Sequence, residues 1–96
     1  LAAAEARSAA AEWDAATHWW ERVVAINPVA GHFWAYLAEA RYHTNDYRGA
    51  AAAYAQAFAL RDGYPAETAY QLACCYAQLD ELAPAREWLE RGANNQ

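Results

Sequence analysis

Residues 46–61 read DYRGAAAAYAQAFALR, and their spacing of small and aromatic residues recurs in residues 12–27, which read EWDAATHWWERVVAIN. Each matched position in the second stretch lies 34 residues before its counterpart in the first. The matched pairs are Trp13 with Tyr47, Ala16 with Ala50, Trp20 with Tyr54, Val23 with Ala57 and Ile26 with Leu60. A period of this length indicates a chain built from repeated pairs of helices.

A third copy of the pattern follows in residues 81–93, ELAPAREWLERGA, at an offset of 35. The matched pairs here are Tyr47 with Leu82, Ala50 with Ala85 and Tyr54 with Leu89. The extra residue is expected in the loop RDGYPAE, residues 61–67, because glycine and proline tolerate an insertion there. The repeat therefore spans most of the chain.

A second set of helical stretches lies between these copies. GHFWAYLAEARYHT and AETAYQLACCYAQL match each other with Leu37 over Leu72 and Ala38 over Ala73. Turn-forming residues separate the elements at Asn27-Pro28, Asn45-Asp46, Asp62-Gly63-Tyr64-Pro65 and Asp80-Glu81. The sequence predicts six helices, at about residues 2–11, 13–26, 30–43, 47–60, 66–79 and 82–92, with Asp46 as an N-cap and Pro84 in the first turn of the last helix.

The composition supports an all-α fold. Alanine, the best helix former, supplies 28 of the 96 residues, whereas the β-branched residues favoured in strands are few. Leu, Ile and Val together supply 11 residues and the aromatic residues supply 14, so rings must provide much of the core volume. A chain of this length is expected to form a single domain over residues 1–96.

These residues resemble the tetratricopeptide (TPR) repeat, a helix–turn–helix of about 34 residues with Trp-x2-Leu-Gly-x2-Tyr, then Ala-x3-Phe, then Pro. The matching residues are Ala16-x3-Trp20 with Asn27-Pro28, Trp34-x2-Leu37-Ala38 with Ala50-x3-Tyr54, and Leu72-Ala73-x2-Tyr76 with Ala85-x3-Leu89. The departures are Arg41 in place of Tyr, Asp62 in place of Pro and Ala69 in place of Trp. The resemblance implies a right-handed α-solenoid of three units, at about 1–30, 31–65 and 66–96, whose first unit is truncated.

The charge balance excludes several partner classes. The formal charge is -5 and the chain contains no lysine, so it lacks the basic surface that nucleic-acid backbones and anionic membranes require. No apolar run approaches the ~20 residues of a membrane span. The chain starts at Leu1 and contains no methionine, so we expect an excised piece of a longer protein or a processed product. Reduced cysteines favour a cytoplasmic location.

The two adjacent cysteines are predicted to be structural. Neighbouring helical side chains diverge by roughly 100°, so Cys74 and Cys75 are not expected to form a disulfide with each other. Cys75 falls on the apolar side of its helix and Cys74 on the opposite side. The histidines and cysteines lack the spacing of a zinc site, and the glycines are too scattered for a phosphate loop. We therefore expect no metal, no cofactor and no enzymatic activity.

The resemblance to TPR proteins also implies a binding surface, because the first helix of each unit lines a concave groove in that family. The corresponding residues are His32, Tyr36, Glu39, Tyr42 and His43 in the second unit, and Glu67, Tyr70, Gln71, Cys74 and Gln78 in the third. Tyr36 and Tyr70 are the predicted anchors, and the glutamates favour a basic ligand. The alternative is that these tyrosines merely pack between helices. The missing lysines disfavour the subtype that holds carboxylate tails of heat-shock chaperones.

The expected function is a protein–protein interaction module or scaffold, of bacterial type, that binds a peptide or helix. The alternatives are an accessory TPR segment of a larger enzyme, such as a hydrolase, and a TPR-type secretion chaperone. Because each unit of a solenoid buries its apolar face against a neighbour, uncovered apolar residues are expected at both ends. Trp19, Trp88 and Leu89 predict such patches and, through them, weak homodimers.

Overall fold

The computed structural model describes residues 2–60 and 65–94, with side chains described from Ala11 onwards. The described residues form five α-helices and no strand, so the all-α class is confirmed. The helices are α1 (Ala2–Ile26), α2 (Gly31–His43), α3 (Tyr47–Ala59), α4 (Pro65–Gln78) and α5 (Leu82–Asn94). The turn predicted at 62–65 lies outside the described residues except for Pro65, which is the first residue of α4.

The first helix corrects the sequence prediction. Separate helices at 2–11 and 13–26 were expected, but α1 runs unbroken for 25 residues, about 37 Å. Residues 10–13 read AAEW and include no glycine, proline or capping residue, so no local signal ends the helix there. The part of the chain before the first turn is thus one long helix instead of a helix pair.

The next four helices form two hairpins with matching boundaries. The hairpin of α4 and α5 repeats that of α2 and α3 at an offset of 35: α3 begins at Tyr47 and α5 at Leu82. In the described ranges, the extensive contacts join helices that are consecutive in the chain. The repeat predicted from spacing is therefore present in these two hairpins.

The turns inside the two hairpins are built in the same way. Asn45 and Asp80, which are 35 residues apart, both adopt the left-handed conformation, with φ of 66° and 61°. The N–H of the following residue donates in each case to the carbonyl five residues earlier, from Asp46 to Arg41 at 2.9 Å and from Glu81 to Tyr76 at 2.9 Å. These bonds satisfy carbonyls at the helix end and reverse the chain direction.

Small residues occupy the helix interfaces, as the spacing predicted. Ala38, Ala50, Ala73 and Ala85 are all buried. At Gly92 the approach is closer still, because a Cβ there would lie 3.2 Å from that of Ala69 on α4. The absence of side-chain bulk at these positions lets the helix backbones come together.

The core lies between consecutive helices and uses rings beside these alanines. Leu37, Leu72 and Cys75 are its largest fully buried side chains, and the buried position predicted for Cys75 is confirmed. Trp88 does not lack cover, contrary to the prediction: its ring packs edge-on against Phe58 of α3, with centroids 5.1 Å apart. The repeat had not indicated that Phe58 would reach the last helix.

Arg41 replaces a family tyrosine and connects three helices. Its Nη1 donates to the carbonyl of Gly49 in α3 at 3.1 Å, and its Nη2 lies 3.8 Å from Glu21 Oε2 in α1. The predicted N-cap is confirmed beside it, since Asp46 Oδ1 accepts from the N–H of Gly49 at 3.0 Å. A methyl group on Gly49 would collide with the Asp46 carboxylate, which explains a glycine in the first turn of an alanine-rich helix. Among the described residues, no helix is both long and apolar enough to cross a membrane.

Candidate functional site

A groove of about 600 Å³ opens between α2 and α4. Six lining residues come from α2, three from α4 and one from α3. They are His32, Ala35, Tyr36, Glu39, Tyr42 and His43, then Glu67, Thr68 and Gln71, and finally Tyr54. Aromatic rings and acidic groups thus face a single cavity.

The structure brings together seven of the ten predicted groove residues. The α2 positions recur at helical spacing on one face, and Glu67 and Gln71 are one turn apart on α4. The other three, Tyr70, Cys74 and Gln78, do not line the cavity. Gln78 nevertheless reaches its edge, because the Gln78 amide donates to the hydroxyl of Tyr42 at 3.4 Å. This bond joins the C-terminal parts of α2 and α4.

Two tryptophans of α1 support the α2 side of the groove from behind. The ring of Trp20 lies 4.9 Å from that of Tyr36. The ring of Trp13 is stacked on that of His43 at 4.0 Å. Tyr36 still exposes 47% of its surface, so it combines packing with access to a ligand. The contact with Trp20 restricts the Tyr36 ring.

The floor of the groove is Tyr54, which the sequence spacing did not assign to the site. It matches Trp20 and Leu89 in the repeat, so it was interpreted only as a ring that fills the core. Only 8% of it is exposed, yet it lines the cavity. Its hydroxyl makes no hydrogen bond to another described residue. Burial, followed by the nearby Cys75 and Glu39, raises the pKa of Tyr54, so the floor hydroxyl remains neutral.

The groove carries negative charge that the described chain does not neutralise. Glu39 and Glu67 are both exposed on its walls. No ion pair joins either carboxylate to another residue in the described ranges. Three tyrosines and two histidines complete the lining, so a ligand would meet carboxylates and ring faces together.

The two cysteines differ in environment. Cys75 is completely buried, and burial raises its pKa to about 12. Cys74 is half-buried on the side of α4 that carries Tyr70, and a hydrogen bond with Cys74 raises the pKa of Tyr70. Both cysteines are free thiols. Residues 2–60 and 65–94 include no group of three His, Cys, Asp or Glu side chains placed to hold a metal ion.

Comparisons of the chain with protein-family models, curated proteins and solved structures give no match.

Proposed function

We propose that the chain is a non-catalytic protein–protein interaction module, a TPR-like right-handed α-solenoid that binds a peptide or a helix in the groove between α2 and α4. The observation that carries this proposal is the convergence of exposed Tyr36 and the unpaired Glu39 and Glu67 on one cavity. The open volume leaves these side chains accessible to a ligand.

The shape and chemistry of the groove support this proposal. A volume of about 600 Å³ lies within the usual range for binding sites, roughly 300–1,000 Å³. Tyrosine offers a large, rigid contact area with a polar tip, which suits recognition of protein surfaces. The repeated hairpins and their packing between consecutive helices are consistent with a solenoid.

Charge complementarity selects the ligand. The groove is acidic and the chain as a whole carries a formal charge of -5. A segment that carries arginine or lysine would be attracted to it, whereas an acidic tail would be repelled. The preferred ligand is therefore a basic peptide or helix.

The test is selection of displayed peptides on the 96-residue chain, followed by affinity measurement with single variants. Replacing Tyr36 by alanine should weaken the selected peptides by about 1–3 kcal/mol, because binding energy concentrates in a few aromatic anchors. Tyr70→Ala is the matched control. Tyr70 is also an exposed tyrosine of a groove helix, but it does not line the cavity. The Tyr70→Ala variant should bind the selected peptides as tightly as the parent.

Helical content and melting temperature, measured by circular dichroism, must accompany these affinities, because Tyr36 also contacts Trp20. Glu39→Gln provides a second groove variant at an exposed position that does not depend on that contact. Peptides that bind both folded groove variants as tightly as the parent would refute the proposed site. Binding of a natural partner should show the same dependence on Tyr36.

A further inference from the structure

The Tyr54 hydroxyl, at the floor of the groove, has no hydrogen-bond partner in the described part of the chain. Tyr54 is more than nine-tenths buried, and its ring closes the cavity from below while its hydroxyl makes no hydrogen bond there. The hydroxyl oxygen is not among the fully buried atoms that lack a partner, so it is accessible from the cavity, where water or a ligand can bond to it. Its position at the floor lets a ligand take the place of water in that hydrogen bond.

The residues around Tyr54 specify the chemistry of the ligand group that would bond to its hydroxyl. The Glu39 carboxylate is close enough to contribute to the raised pKa of Tyr54, and Glu67 stands on the opposite helix. A carboxylate accepts hydrogen bonds and cannot donate them, and a tyrosine hydroxyl oxygen can also accept one. The floor and walls therefore present several acceptors to a ligand and call for several donors.

The ring faces add a second requirement. Tyr36 and Tyr42 lie about one and two-thirds turns apart on α2, and both line the cavity above Tyr54. The faces of aromatic rings attract cations, and they attract a planar cation most effectively because it can also stack. A flat, positively charged group with several donors meets both requirements.

We infer that the groove holds the guanidinium of an arginine in its partner, seated above Tyr54 among the tyrosine rings and hydrogen-bonded to Glu39, to Glu67 and to the Tyr54 hydroxyl. An arginine presents five N–H donors in a plane, whereas a lysine presents three donors on a compact ammonium that stacks poorly. This inference rests on the proposed function and specifies its anchor residue.

The experiment uses small probes, so that it does not depend on knowing the partner. N-acetyl-arginine N-methylamide is titrated into the 15N-labelled 96-residue chain and followed by amide chemical shifts. The citrulline analogue has almost the same shape without the charge, and the lysine analogue has the charge without the plane. We expect saturable shifts centred on the groove amides with arginine, and binding weaker by about tenfold or more with citrulline.

Variants then assign the contacts. Tyr54→Phe retains the ring and removes the hydroxyl, and it should weaken arginine binding about three- to tenfold. Glu39→Gln and Glu67→Gln should each weaken it by at least as much, because they remove a charge-assisted contact. Glu87→Gln removes an exposed glutamate of α5, outside the groove, and should bind like the parent.

Several outcomes would overturn the inference. Citrulline or lysine probes that bind as tightly as arginine would exclude a guanidinium site, and so would Glu39→Gln and Tyr54→Phe variants that bind arginine normally. If selected peptides depend on Tyr36 but contain no arginine, the inference fails while the proposed function stands. If selected peptides do not depend on Tyr36 or Glu39, the proposed function itself fails.

Discussion

The indole of Trp13 lies flat on the imidazole of His43, with ring centroids 4.0 Å apart and ring planes 10° from parallel. The stack fixes the end of α2 against α1, since His43 is the last residue of α2. The part of α1 before Trp13 therefore runs on beyond the end of α2. The same stack positions a histidine that lines the groove.

The Trp13–His43 stack should contribute measurably to folding stability. We expect a coupling free energy of about 0.5–1.5 kcal/mol in a double-mutant cycle of Trp13→Ala and His43→Ala, measured by urea unfolding. Trp19→Ala is the control, because Trp19 is in the same helix but 62% exposed, and it should change stability by about 0.5 kcal/mol or less. Strictly additive effects of Trp13→Ala and His43→Ala would show that the stack contributes nothing.

Much of this fold follows from the spacing of small and large residues. A 35-residue offset placed Ala50 and Ala85 on matching helix faces, and both are buried at helix interfaces. The continuity of α1 could not be predicted in this way, because the period implied a break that no local residue enforces. The repeat predicted a turn near residues 10–13, but these residues are helix formers, so the helix continues through them.

The sequence predicted which face of α2 lines the groove, but it did not predict the size of the cavity. Helical spacing places His32, Tyr36, Glu39 and His43 on one side of α2. It does not say how far α4 lies from that side, nor which residue of α3 closes the gap. Tyr54 belongs to the core and to the cavity at once, and only the relative positions of three helices reveal the second role.

The second prediction concerns Gly49 and its cap. Alanine is normally favoured over glycine in a helix by about 1 kcal/mol, yet Gly49→Ala should destabilise the protein, because the new methyl group would meet the Asp46 carboxylate. Asp46→Ala alone should cost about 0.5–2 kcal/mol through loss of the N-cap.

The double variant with Asp46→Ala and Gly49→Ala distinguishes the effect of the collision from that of losing the N-cap. In the Asp46→Ala background the collision with the carboxylate is gone and the contact with Arg41 Cδ, at 3.0 Å, remains. Gly49→Ala should therefore become less destabilising or neutral there. Thermal and urea unfolding of the four proteins supply the comparison. A Gly49→Ala change of equal size and sign in both backgrounds would argue against the collision.

The third prediction concerns alkaline pH. The Cys75 thiol is buried and its pKa is raised to about 12 from an ordinary value of 9.0. Above pH 9 the unfolded chain releases this proton and the folded chain keeps it, so stability should fall as the pH rises towards 12. We expect a loss of about 1 kcal/mol between pH 8.5 and 10 from this group.

Urea unfolding at several pH values measures this slope. Cys75→Ala should remove the slope, and Cys74→Ala should retain it, because Cys74 is only half-buried. Keeping the pH below 10 limits interference from Tyr54, whose pKa is also raised. If Cys75→Ala left the pH dependence of the unfolding free energy unchanged, the loss of stability at alkaline pH would come from other groups.

The fourth prediction concerns the ends of the helix array. Leu82 and Leu89 expose 69% and 50% of their surface on α5, and Trp19 is exposed on α1. Apolar residues of this kind favour association, so weak, concentration-dependent dimers are expected in sedimentation velocity. Replacing Leu82 and Leu89 together by glutamine should shift the chain towards monomer. Val29→Thr, at an exposed apolar residue in the turn after α1, should leave association unchanged.

Packing between consecutive helices also determines the order in which parts of the protein unfold locally. Where each helix contacts chiefly its neighbours, local unfolding proceeds from either end and reaches the middle last. None of the residues found to line the groove belongs to α5, so local opening of α5 removes no lining residue. Opening at the other end differs, because undocking of α1 removes Trp20 from Tyr36 and Trp13 from His43. Amide exchange in α1 therefore reports how well the α2 side of the groove is ordered, and a ligand that fixed Tyr36 would slow exchange in α1 without contacting α1.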